Sequence, residues 1–65
     1  MFISKVQLMK LGWHFRKYYA GAEIWAKDEH IIFYNPDTKM IITTTLSSPL
    51  IANLLKEAQD VKKEN

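Results

Sequence analysis

The spacing of apolar residues changes at Gly12, and that change limits what the chain can become. Before it, Phe2, Ile3, Val6, Leu8, Met9 and Leu11 recur mostly at intervals of three and four, the period of an amphipathic helix over residues 2–11. Glycine accepts the left-handed conformation that follows a helix, so Gly12 is placed to end it, with Trp13 folding back on Leu8. A helix continuing through Gly12 to Tyr19 is the competing reading, and glycine inside a helix costs about 1 kcal/mol relative to alanine. After Gly12 the period is two. Trp13, Phe15 and Tyr19 alternate with His14, Arg16 and Tyr18, as on a strand over 13–19 with one face buried.

The same short period continues to residue 45. "EIWAK" (23–27), "HIIFY" (30–34) and "MIITTT" (40–45) read as further strands, rich in β-branched and aromatic residues. Turn residues separate them: the small "AGA" around Gly21, then Asp28 and Glu29, then "NPDTK". In "NPDTK" proline presets its own φ, and Asn and Asp bond to nearby backbone, so the flanking runs read as a hairpin. A helix over 49–62 follows, with Ser48 as cap and Pro49 at the first helical position. Ile51, Leu54, Leu55, Ala58 and Val61 form its apolar stripe. The expected fold class is α+β: a helix, an antiparallel meander of three to four strands, and a second helix, both helices on one face of the sheet.

Length and composition narrow the classes of function. Sixty-five residues make one domain, which buries only about 60% of its unfolded surface. A homodimer is compatible with so small a core. Hydrophobic residues make up 48%, which is globular rather than disordered content. There is no cysteine, hence no disulfide and no thiolate metal site. Lys5 and Lys10 break the N-terminal apolar run, and no run approaches the ~18 residues of a membrane span, so a soluble cytoplasmic protein is expected. A net charge of +2 permits a polyanionic partner without demanding one.

Few residues are arranged for chemistry. His14 and His30 lie on different expected strands without a third ligand at metal spacing, so no metal is expected. Thr43, Thr44 and Thr45 suit a strand and belong to no nucleophile motif. Glu23, Asp28, Glu29 and Asp37 lie in or beside turns. Two glycines in unrelated contexts make no phosphate loop, and no cofactor is expected. What stands out is "KLGWHFRKYYAGAEIW", five rings among basic side chains.

If Trp13, Phe15 and Tyr19 face the helices, His14, Arg16 and Tyr18 share the open face, and Trp25 and Lys27 join one face or the other. Rings beside cations suit stacking on bases and pairing with phosphates. The expectation is a non-enzymatic binding protein with RNA or DNA as favoured target, through His14, Arg16, Tyr18, Trp25 and Lys27. Lys5, Lys10 and Lys17 would add to the field. The alternative is a small protein-binding module or inhibitor, of the kind phages and mobile elements encode, because interface hot spots are also rich in Trp, Tyr and Arg. A ribonuclease with His14 as base beside Arg16 is the third reading.

At "VQLMKLGWHFRKYYAGAEIW" the chain resembles the start of HicA-type toxins of toxin–antitoxin pairs. Those have a helix ending in L-x-x-x-G-[WF], a strand with basic residues, then a glycine followed by a small residue and histidine. Leu8, Gly12, Trp13, Arg16 and Gly21 can be laid on that pattern, and "LIANLLKEA" looks like the family's final helix. The resemblance implies a fold similar to double-stranded-RNA-binding domains. It does not carry an active site across: Glu23, preceded by Ala22, stands where the family has its catalytic histidine, and this chain has an additional strand.

Overall fold

Ser4 decides where the first helix begins. A computed structural model of the chain describes residues 2–62; Met1 and residues 63–65 lie outside the described residues. The Gln7 amide donates to Ser4 Oγ (3.1 Å), and the Ser4 amide donates to Gln7 Oε1 (2.8 Å). This capping box satisfies two N–H groups that a helix start leaves unpaired, and it fixes the start of α1 (Lys5–Lys10). The helix is therefore shorter than the 2–11 expected from periodicity. Residues 2 and 3 pair with the sheet instead: Phe2 bridges to Met40, and the Ile3 amide donates to the Lys39 carbonyl (3.0 Å).

Gly12 ends α1 as expected. Its φ is +92°, its amide donates to the Met9 carbonyl (3.1 Å), and the Trp13 amide donates to the Leu8 carbonyl (2.9 Å). This pair of bonds is the Schellman termination, and it returns Trp13 to the core with Leu8.

Four strands follow in chain order, each antiparallel to the next: β1 (His14–Tyr19), β2 (Ala22–Lys27), β3 (His30–Asn35) and β4 (Met40–Thr44). Ala20 and Gly21 both take positive φ (+51° and +82°), giving a two-residue turn whose twist matches that of its strands. Asp28 (φ +55°) turns the chain between β2 and β3. Between β3 and β4, Asn35 Oδ1 accepts from the amides of Asp37 (2.9 Å) and Thr38 (3.3 Å), and the Lys39 amide donates to the Asn35 carbonyl (2.8 Å). The second helix, α2 (Ser48–Lys62), begins one residue before the expected start, with Ile51 donating to the Ser47 carbonyl (2.9 Å).

The protein is α+β, a four-stranded meander with its helices on one face. Leu54 and Ala58 carry the stripe of α2 into a core of Ile3, Leu8, Trp13, Trp25, Ile32 and Tyr34. Ile51, Leu55 and Val61 are half-buried. Two long hydrogen-bonded reaches close the layers. Gln7 Nε2 donates to the Ala58 carbonyl (2.9 Å), joining α1 to α2, and Tyr34 Oη donates to the Ile3 carbonyl (2.7 Å). Among the described residues no buried side-chain polar atom lacks a partner, as a small core requires. No helix among them is long and apolar enough to cross a membrane.

Candidate functional site

A bulge in β1 decides which side chains meet. Phe15 pairs with Trp25 and Lys17 pairs with Ile24, so Arg16 is an extra residue without an opposite number on β2. The simple alternation expected over 13–19 is therefore broken. Phe15 and Tyr18 fall on the same, helix-side face, opposite Trp25 and Glu23; His14, Lys17 and Tyr19 fall on the other, opposite Ala26, Ile24 and Ala22. His14, Arg16 and Tyr18 do not share an open face. Tyr19 does not face the helices.

The helix-side group forms a small aromatic cluster at the rim of the core. The rings of Phe15 and Tyr18 meet edge to face with centroids 5.2 Å apart, and Phe15 meets Trp25 similarly at 5.8 Å. Trp25 is only 3% exposed, whereas Tyr18 is 68% exposed. Beside them α1 presents Met9, and Val6 lies one turn earlier; both are exposed. Lys5, Met9, Phe15, Tyr18, Glu23 and Trp25 line a cleft of about 230 Å³ between α1 and β1.

Glu23 lies buried in this cleft, 2% exposed. Its Oε1 accepts from Trp25 Nε1 (3.0 Å), and its Oε2 pairs with Lys5 Nζ (2.9 Å). A buried carboxylate is tolerable only when paired and hydrogen-bonded, and here both conditions hold. The hydrogen bond to Glu23 raises the Lys5 ammonium above its ordinary pKa of 10.5, as does the charge of Glu23. Burial, and then the negative field of Glu23, raise the nearby Tyr34 phenol above its ordinary 10.0.

The remaining expected contact residues lie apart. Lys27 is on the helix side, where Nζ donates to the Leu11 carbonyl (2.7 Å) and satisfies the C-terminal end of α1. Trp25 is core. Arg16 and His14 are exposed on β1, at the sheet's edge. His30 is half-buried and lines a separate cleft with Asp28, Asn53 and Glu57. Among the described residues no three His, Cys, Asp or Glu side chains are grouped as a metal would need. The sequence pattern placed Val6 and Met9 on an amphipathic helix without choosing its buried side, and it named neither them nor Phe15 as contact residues. The capping box at Ser4 and Gln7, which marks the start of α1, went unread.

Comparison with protein-family models, with curated proteins and with solved structures finds no match for this chain.

Proposed function

We propose that this chain is a non-enzymatic binding domain that recognises another polypeptide through the flank where α1 meets β1. The observation that carries this is the group of exposed large apolar side chains lining the cleft there, Met9, Phe15 and Tyr18, with exposed Arg16 on the same strand β1. Aromatic residues, methionine and arginine are the side chains enriched at protein interfaces. The cleft among them is of a size to accept one apolar side chain. A polypeptide is favoured over nucleic acid because the cations that would hold phosphates are partly engaged. Lys5 is paired with Glu23, and Lys27 is bonded to a backbone carbonyl.

The test is selection of a displayed random-peptide library against the wild-type domain, followed by titration of selected peptides against Tyr18→Ala and Met9→Lys. The expected result is a shared large apolar residue in the peptides and at least about tenfold weaker binding to both variants, a difference of about 1.4 kcal/mol. Equal binding to the variants would overturn the reading. So would tight binding of a labelled RNA or DNA oligonucleotide that weakens steeply with salt, the mark of phosphate contacts.

A further inference from the structure

The face of the sheet opposite the helices has no covering layer of its own among the described residues. The pairing register gives its composition. One row across the strands reads His14, Ala26, Ile31, with Thr45 opposite Ile31; the next reads Lys17, Ile24, Phe33, Thr43. At the far end Tyr19 lies beside Ala22, and Asn35 beside Met40. The middle is aliphatic and aromatic, the β1 margin is basic, the β4 margin is uncharged, and none of these positions holds a carboxylate.

We propose that a second copy of this chain packs on this face, sheet against sheet, about a twofold axis running along the strands. That axis lays β1 of one copy over β4 of the other, and β2 over β3. Lys17 then meets Thr43 of the second copy rather than another Lys17. Tyr19 meets Met40, a favourable ring–thioether contact. Ala26 lies under Ile31 and Ile24 under Phe33, so small or slender groups meet large ones, as interdigitating sheets require. His14 and Lys17 of the β1 margin fit over the low Thr45 and Thr43 of the β4 margin, where a bulge leaves exposed Ile42 as an extra residue without an opposite number on β3. A twofold across the strands would instead set Lys17 near Lys17 and Phe33 near Phe33. The face is thus complementary to itself in one orientation, which is the condition for an isologous dimer.

Its area sets the strength. Four strands about 4.8 Å apart and six residues long at about 3.4 Å each make a footprint of about 20 Å square. The accessible surface of a pleated face exceeds its projection, so two copies bury on the order of 1,000 Å² in total, at the low end for specific association. The expected dimer is therefore concentration-dependent, with dissociation in the micromolar range or weaker. The α1–β1 flank lies on the other side of the sheet and stays free in both copies, so this dimer stands or falls independently of the polypeptide reading.

Sedimentation equilibrium between about 1 µM and about 1 mM tests it. The expected mass rises with concentration from the 7.6 kDa of one chain toward twice that value. Ile31→Lys, at a side chain already partly exposed, should weaken the dimer at least tenfold. Thr43→Lys should also weaken it, by opposing Lys17 of the second copy, and Thr43→Glu should tighten it. Thr43 is exposed, so its variants keep the test decisive if Ile31→Lys does not fold. Met9→Lys on the flank should leave association unchanged. A chain that stays monomeric across the range overturns the proposal, as does a dimer indifferent to Ile31→Lys or to the sign of the charge at position 43.

Discussion

Replacing Tyr34 by phenylalanine isolates one hydrogen bond that holds the start of the chain to the sheet. Tyr34 is fully buried, and its hydroxyl donates to the Ile3 carbonyl at 2.7 Å. Phenylalanine keeps the ring, so no cavity of consequence forms. What is lost is the donor, and a buried carbonyl left without one costs about 1–3 kcal/mol. We expect about 2 kcal/mol. A 65-residue domain at about 0.05–0.15 kcal/mol per residue holds roughly 3–10 kcal/mol in all. The change therefore removes a large share of the total, and Tm falls by about 8–16 °C at about 4–8 °C per kcal/mol. Trp13 and Trp25 are both buried, so their emission reports unfolding in urea. With a slope near 1 kcal/mol/M the midpoint should fall by about 2 M while the slope stays the same. A midpoint that moves by less than about 0.3 M would refute the reasoning, because Tyr34 would then not be what anchors residues 2 and 3.

Two other outcomes follow from groups already described. Gly12→Ala puts a side chain at φ +92° with its Cβ 3.4 Å from Lys27 Cε, so it should destabilise by at least about 1–2 kcal/mol, and an unchanged urea midpoint would contradict the Schellman termination of α1. Lys5 and Tyr34 both hold their protons more tightly when folded, so the stability they contribute is present below their ordinary pKa values of 10.5 and 10.0 and is lost as pH rises through the raised ones. Urea midpoints measured at rising pH should hold to about pH 10 and then fall, with a smaller fall in Tyr34→Phe; a flat profile to about pH 11 would count against the Lys5–Glu23–Tyr34 arrangement.

The strands and turns were legible because their signals are local. A run of "HIIFY" or "MIITTT" reports its own period, and "NPDTK" reports its own turn through Asn35. Gly12 likewise announces the end of α1 from its neighbours alone. The bulge at Arg16 was not legible in this way, because an extra residue exists only relative to a partner strand. Counting along β1 assumes that residues two apart share a face, and the bulge makes Phe15 and Tyr18, three apart, share one instead. Trp25 shows the same dependence: its face is fixed by Phe15 and Ile32 on either side of it, not by its own segment. The start of α1 was within reach, since Ser4 and Gln7 have the spacing of a capping box, but only the apolar pattern through Phe2 and Ile3 was read there.

Each strand pairs with the next one along the chain, so the sheet can zip up from turns that form within microseconds. The helical cover has a different origin. Gln7 reaches Ala58 across 51 residues, and Tyr34 holds a segment that lies 31 residues before it. Closing so long a span has an entropic cost that only the finished layer repays. The roof over the sheet is therefore built from two segments that lie on either side of the strands in sequence, and removing α1 or α2 should unroof the same strands.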